Sequence, residues 1–198
     1  MMEGFAYFPA IVYRDERPDL VEKVLPTCTQ YLDNVRNPEW SMCQSAHLGN
    51  DPALQEVANY ILLSAVDLLR GQGYAIERYD FYIQGLWAQE IVRGGGTNVH
   101  VHKNSQMCGW FFLEVPQGGA YPVYHDPRAN KAMIELDFVQ GEEVTNATNS
   151  IHFNNVSAGT VLFSNSWMHH QLSGSNTETP TRCIHFIVSH KERPCSTC

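Results

Sequence analysis

The residues best suited to chemistry lie in the middle of the chain, at Asn98-Val99-His100-Val101-His102-Lys103-Asn104-Ser105. At the two-residue period of a β-strand, Asn98, His100, His102 and Asn104 share one face. Two imidazoles at this spacing lie about 7 Å apart along the strand, so both can lean onto one metal ion between them. Imidazole suits zinc, copper, iron and nickel, so the pair does not choose the metal. The alternative is a chance pair of polar side chains on a solvated strand face.

A third ligand can come from His169 or His170, which follow the apolar segment 159–163 and a turn. Twelve residues beyond His170 is Arg182, which shares a strand face with Ile184, Phe186 and Val188. An arginine on an apolar face is costly to bury without a partner. That partner is either an internal Asp or Glu, or a ligand carboxylate held by the guanidinium fork.

Several short motifs occur together and in order. They are Trp87, Gly94, the pattern N-x-H-x-H-x-N-S-x-x-x-G over 98–109, D-P-R at 126–128, W-x-x-H at 167–170, and Arg182. Over residues 80–190 the chain resembles the iron(II)/2-oxoglutarate oxygenase superfamily. Within it the chain is most similar to a bacterial and phage-associated group of small oxygenases. The resemblance implies a hydroxylase that uses Fe(II) and 2-oxoglutarate and releases succinate and CO2.

The resemblance also assigns roles to individual residues. His100 and His102 fall on the metal-binding pair, and His170 falls on the distal histidine ligand. Arg182 falls on the residue that binds the distal carboxylate of 2-oxoglutarate. Three polar residues beside the pair are expected to help place this co-substrate, namely Asn98, Asn104 and Ser105. The remaining histidines of the core receive no metal role, namely His125, His152, His185 and His190.

The chain departs from the superfamily pattern at the second ligand. His102 stands where the wider superfamily has Asp or Glu, so the site lacks the negative charge of a 2-His-1-carboxylate triad. Ile184 also replaces a serine two residues after the arginine. The H-x-H pair between Gly94 and Gly159 resembles a cupin as well, which would be a three-histidine dioxygenase that does not use 2-oxoglutarate. A non-enzymatic β-sandwich binding module is a further alternative.

The hydrophobic patterns predict one domain over 1–198 of α+β class, mainly β. A helical support at 15–72 is expected to pack on one sheet of a double-stranded β-helix (jelly-roll) core at about 74–190. Asp51 and Pro52 should begin the clearer helix, and Pro26 should interrupt the earlier one. Strands are predicted at 5–13, 79–90, 109–115, 120–124, 132–139, 150–153, 159–164 and 182–189.

Composition limits the partners. The formal net charge is −8, with 13 basic against 21 acidic residues and no basic run, which argues against a nucleic-acid partner. No apolar run is long enough to cross a membrane, and residues 1–10 lack the features of a signal peptide, so a cytoplasmic protein is expected. The substrate is expected to be a small molecule or a peptide, and a homodimer stays open. Two features have no assigned function, namely the turn at 126–128 and the pair Cys195 and Cys198.

Overall fold

The computed structural model describes residues 9–128 and 148–194. The helices are α1 (Pro18–Asp33) and α2 (Gln55–Gly71), with short 3₁₀ turns at Pro52–Leu54 and Ile76–Arg78. The strands are β1 (Val12–Glu16), β2 (Met42–Gln44), β3 (Tyr79–Ile91), β4 (Met107–Glu114), β5 (Pro122–His125), β6 (Ser150–His152), β7 (Thr160–Asn165), β8 (His170–Leu172) and β9 (Thr181–Glu192). Every strand pair is antiparallel.

Two sheets and a helical layer form the architecture. The larger sheet has the order β1-β7-β4-β9-β3-β2, and the smaller has the order β6-β5-β8. Both helices pack on the outer face of the larger sheet, and the smaller sheet covers its inner face. The mainly-β jelly-roll with its helices on one sheet is thus confirmed. Neither helix within the described residues is long and apolar enough to span a bilayer.

Each helix buries one apolar stripe against the sheet. The stripe of α1 is Leu20, Val21, Val24, Cys28 and Leu32, and that of α2 is Val57, Ala58, Ile61, Ala65 and Leu69. Both stripes follow the three-to-four-residue period of a helix with one buried face. The prediction that Pro26 interrupts the first helix is wrong, because α1 continues through this residue. Pro26 has no N–H to donate to the carbonyl oxygen one turn earlier, but it lies on the exposed side of the helix, where water can donate instead.

Strand β9 lies between two apolar layers. Ile184, Phe186 and Val188 point to the helices, while Cys183 belongs to the core between the sheets. Because side chains alternate along a strand, the odd-numbered residues of β9 face the smaller sheet and the even-numbered ones face the helices. This alternation decides which side chains reach the functional site.

The segment of the histidine pair differs from the predicted strand. Residues 98–105 do not form a strand; they run as an irregular segment with one isolated bridge, at His100. The predicted strand at 132–139 lies outside the described residues.

The start of the second helical segment offers a test of this layer. The Asp51 carboxylate accepts hydrogen bonds from Ala53 N–H at 2.8 Å and from the Tyr31 hydroxyl at 2.6 Å. Asp51→Ala should lower the free energy of unfolding by about 1–2 kcal/mol, because both donors lose their acceptor. Asp67→Ala, which removes only an exposed ion pair with Arg70, should change it by less than about 1 kcal/mol. Equal losses in urea denaturation would contradict the capping role of Asp51.

Candidate metal centre

Backbone hydrogen bonds bring the predicted histidines together. His100 N–H donates to His170 O and His170 N–H donates to His100 O, each at 3.0 Å, and His102 N–H donates to Ser166 O at 3.0 Å. The ring centroids of His100 and His170 are 4.5 Å apart, and that of His102 lies 4.9 Å and 5.0 Å from them. Residues 98–102 therefore lie beside the start of β8, and the three imidazoles form one cluster.

Carbonyl oxygens fix the proton positions on three of the rings. A carbonyl oxygen only accepts a hydrogen bond, so a ring nitrogen bonded to it must carry the proton. The Nδ1 atoms of His100, His170 and His185 contact the carbonyl oxygens of Asn98 at 2.7 Å, Met168 at 2.7 Å and Gly109 at 3.0 Å. In the neutral rings, each Nε2 then carries a lone pair available to a metal ion.

His185 is a member of the cluster that the sequence analysis excluded. It lies on the inner face of β9, with its ring centroid 5.0 Å from that of His102. Its ring stacks on the indole of Trp87, at 5.8 Å between centroids and 16° between planes. The two-residue period of a strand places His185 on the same face of β9 as Cys183 and on the opposite face from Arg182. Both faces of β9 are apolar, however, so the sequence could not tell which face meets the metal pair.

Potential ligand atoms fall into two groups within the described residues. One atom each from His100, His102 and His185 lie within 4.8 Å of one another, and so do atoms from His102, Cys108 and His170. The predicted ligands His100, His102 and His170 are thus divided between two groups that share His102. The Nε2 atoms of His102 and His170 are 3.1 Å apart. Since Nε2 of His170 carries a lone pair, this approach requires a proton or a cation between the two atoms.

Burial keeps four side chains of the cluster uncharged, namely His102, Cys108, His170 and His185. It lowers the pKa of His102 to about 4, with a smaller contribution from repulsion by His100. It lowers the pKa of His170 to about 3 and that of His185 well below its usual value. Burial also raises the pKa of the Cys108 thiol to about 12. The rings of His102, His170 and His185 are neutral at pH 7, which is the form that binds metals, and the donor set suits a divalent transition metal such as iron.

A pocket of about 280 Å³ opens beside the cluster, between β2, β3, β9 and residues 97–102. It is lined by Met42, Gln44, Trp87, Gln89, Thr97, His100, His102, Trp110, His185 and Ile187. None of these ten residues is Asp, Glu, Lys or Arg. The walls are thus apolar, aromatic or neutral and polar.

The hydrogen bonds of the polar residues beside the histidine pair all involve backbone carbonyl oxygens. Asn98 contributes its carbonyl oxygen to His100, and its side chain is exposed. Asn104 adopts a left-handed conformation with φ of 57°, and its carbonyl oxygen accepts a hydrogen bond from Ser189. The Ser105 hydroxyl donates to His102 O at 3.1 Å. None of the three is among the described residues that line the pocket; Asn98 orients the His100 ring, and Asn104 and Ser105 shape the turn after the pair. Asp126 and Arg128 bond to each other in a turn.

Arg182, which the resemblance assigns to the distal carboxylate of 2-oxoglutarate, is not among the described residues that line the pocket. It faces the helices and donates to Glu90 at 2.7 Å and to Glu114 at 2.5 Å. Both glutamates are its direct cross-strand partners, Glu114 through a register shift in β4. Arg36 also binds Glu90, through two hydrogen bonds of 2.6 Å. Burial raises the pKa of Glu90, but its hydrogen bonds to Arg36 and Arg182 outweigh this effect, and the pKa is lowered.

The ion pairs of Arg182 predict a loss of stability on its removal. Arg182→Ala should lower the free energy of unfolding by about 3 kcal/mol, because Glu90, only 6% exposed, loses one of its two cations. The melting temperature should fall by about 6–12 °C. Affinity for 2-oxoglutarate should stay near the wild-type value, because the guanidinium lies on the other face of the sheet.

Arg193→Ala is the control for Arg182→Ala, since it removes an exposed ion pair with Asp80 and an exposed hydrogen bond to Glu77 O and should cost less than about 1 kcal/mol. Calorimetric titration and thermal melts measure both quantities. An unchanged melting temperature with lost 2-oxoglutarate affinity would return Arg182 to the site.

A jelly-roll with neutral imidazoles at one end of its interior is the architecture of a metal-dependent oxygenase. The sequence profile of the family described as "Putative 2OG-Fe(II) oxygenase" matches residues 85–186. The match covers just over half of the 198 residues. The chain belongs to this family of 2-oxoglutarate- and Fe(II)-dependent oxygenases. No curated protein sequence gave a match.

Solved structures share the fold. SnoN, an alpha ketoglutarate dependent epimerase from nogalamycin biosynthesis, is 13% identical over 96% of this chain and 83% of its own, with a TM-score of 0.62. A Pseudomonas putida prolyl-4-hydroxylase is 13% identical over 93% and 94% of the two chains, with a TM-score of 0.58. HygX from Streptomyces hygroscopicus, solved with nickel and 2-oxoglutarate, is 11% identical over 91% and 83%, with a TM-score of 0.56. At these identities the likeness establishes the fold alone.

Proposed function

We propose that this protein is an Fe(II)- and 2-oxoglutarate-dependent hydroxylase whose metal is held by His100, His102 and His170. The main support is the cluster of imidazoles beside the pocket, in which the Nδ1 atoms of His100 and His170 contact carbonyl oxygens and leave the Nε2 lone pairs available to a metal ion. Membership of the oxygenase family supplies the cofactors. Three imidazoles leave further positions on a six-coordinate metal for a chelating 2-oxo acid and for oxygen.

The proposed reaction consumes oxygen, 2-oxoglutarate and a substrate C–H group. The bound metal supplies oxygen activation; one oxygen atom enters succinate, the other enters the product hydroxyl, and CO2 leaves. The protein holds the ligands in place and keeps the site dry. Trp110, Met168 and Leu172, each at most 2% exposed, close the core around His170. A closed apolar surround protects the reacting groups from solvent.

Hydroxylation is favoured over other outcomes by the pocket walls. The relatives of this fold include a prolyl-4-hydroxylase as well as an epimerase and a carbocyclase. Hydroxylation needs no charged side chain to steer the substrate after oxidation, and none is among the described residues that line this pocket. A small molecule or an exposed peptide side chain fits a pocket of about 280 Å³.

A three-histidine dioxygenase that does not use 2-oxoglutarate is the second candidate. The specific observation in its favour is that the described residues lining the pocket include no arginine or lysine that could bind a distal carboxylate. His185 adds another neutral imidazole beside His100 and His102. The two candidates share the metal and differ in the co-substrate.

The metal ligands are tested by single substitutions. His170→Ala should weaken Fe(II) binding by about 100-fold or more, because it removes one of three nitrogen ligands. His169→Ala is the matched control: this neighbour is exposed and should leave most of the affinity. Anaerobic titration calorimetry measures both. If His185→Ala abolishes binding while His170→Ala does not, the metal lies with His100, His102 and His185 instead.

The co-substrate is tested by spectroscopy. Anaerobic protein with Fe(II) should develop a weak visible charge-transfer band when 2-oxoglutarate is added, because the 2-oxo acid chelates the metal. Cysteine and other thiols should not produce this band. Air should then yield succinate. Tight iron binding with neither band nor succinate, across a panel of candidate substrates, would favour the second candidate.

A further inference from the structure

The thiol of Cys108 lies beside two of the imidazoles and has no role in the proposed function. One ligand atom from each of His102, Cys108 and His170 lies within 4.8 Å of the other two. Cys108 shares the inner face of β4 with Trp110, and both Cys108 and His170 are 0% exposed. These three residues, which we call the Cys108 triad, therefore lie in the core, and of the three only His102 lines the pocket.

The two imidazoles of the Cys108 triad have the separation of two ligands on one metal ion. Nitrogen ligands at about 2.0–2.1 Å from a metal ion lie roughly 3.0–3.4 Å from each other. The Nε2 atoms of His102 and His170 are 3.1 Å apart, and that of His170 carries a lone pair because its Nδ1 donates to the Met168 carbonyl oxygen. A hydrogen bond donated by a protonated Nε2 of His102 gives the same separation, so the surroundings of the thiol decide between the two.

Three buried hydroxyl groups gather at the Cys108 thiol. Ser164 Oγ is 3.6 Å from Cys108 Sγ, and the hydroxyls of Ser166 and Tyr124 lie close to the same thiol. Neither of these last two hydroxyls makes a hydrogen bond of ordinary geometry within the described part of the chain, although both residues are at most 2% exposed. A buried donor without an acceptor is costly, and a neutral thiol is only a weak acceptor. A thiolate accepts strongly, so these donors suit a negatively charged sulfur.

A thiolate in this core needs a cation beside it. An isolated buried charge is strongly unfavourable, whereas a metal ion that replaces the thiol proton, which leaves to solvent, balances that charge. Thiolate and imidazole together are the ligands of thiophilic ions such as Zn(II), while oxygen ligands suit harder ions. We infer that His102, Cys108 and His170 form a second, buried metal site that takes a thiophilic divalent ion such as zinc.

This site goes beyond the proposed function and shares two ligands with it, His102 and His170. Zn(II) and Fe(II) should therefore exclude each other, and the residues that are not shared should separate the two sites. Cys108→Ser should weaken Zn(II) binding by about 100-fold or more and leave Fe(II) affinity within a few-fold of the wild-type value, because a hydroxyl is a poor zinc ligand. His100→Ala should do the reverse, because His100 is a ligand only in the proposed Fe(II) site.

Co(II) is the probe for the thiolate, because a thiolate bound to Co(II) gives an intense charge-transfer band in the near ultraviolet. Cys195 and Cys198 are replaced by serine in every protein used, so that these thiols do not bind cobalt. Metal-free protein titrated with Co(II) without air should develop the band at one ion per chain, and Zn(II) should remove it. Cys108→Ser should abolish the band. Cys183→Ser is the matched control, since it removes another buried thiol of the core between the sheets and should keep the band.

A band that survives Cys108→Ser, or Co(II) bound by the parent protein without the band, would overturn the inference. Thermal melts verify that each variant is folded. If Cys108→Ser does not fold, X-ray absorption of the zinc-loaded parent protein replaces it: we expect a sulfur neighbour at about 2.3 Å from the zinc, and a shell of nitrogen and oxygen alone would overturn the inference. Failure of the Fe(II)-loaded protein to bind 2-oxoglutarate would instead overturn the proposed function and leave the cobalt result unaffected.

Discussion

The two faces of β9 carry different kinds of side chain, and the rest of the structure depends on this separation. Ion pairs lie on the outer face, and imidazoles lie on the inner face. On the outer face Arg182 joins Glu90 and Glu114 in ion pairs beneath the helices. On the inner face His185 joins the other imidazoles in the core between the sheets. Successive side chains of a strand point to opposite faces of the sheet. A shift of one residue in the register of β9 would therefore exchange the environments of Arg182 and His185.

The ion pairs that stabilise the fold and the imidazoles of the candidate site thus lie on opposite faces of one sheet. The ion pairs of Arg36, Glu90 and Arg182 connect the segment after α1 to β3 and β9, on the face away from the imidazoles. No Asp, Glu, Lys or Arg is among the described residues that line the pocket. Backbone pairing between His100 and His170 holds the candidate site together.

Much of this arrangement follows from the sequence, and the failures have a common physical cause. The helix start at Asp51, the jelly-roll class of the core and the meeting of His100, His102 and His170 all follow from local patterns and ordered motifs. The two-residue period showed that Arg182 shares a face with Ile184. It could not show which face of β9 meets the metal, since both faces are apolar and buried. The partners of Arg182 that settle the matter, Glu90 and Glu114, are 92 and 68 residues away in sequence.

The proposed function places the metal at His100, His102 and His170, beside the pocket, and leaves Arg182 in its ion pairs on the other face of the sheet. A crystal structure of the protein grown without air, with Fe(II) and 2-oxoglutarate, tests this arrangement most directly. We expect metal density at His100, His102 and His170, with Arg182 still bonded to Glu90 and Glu114. Metal density at another set of residues, or Arg182 bound to a carboxylate of 2-oxoglutarate, would contradict it.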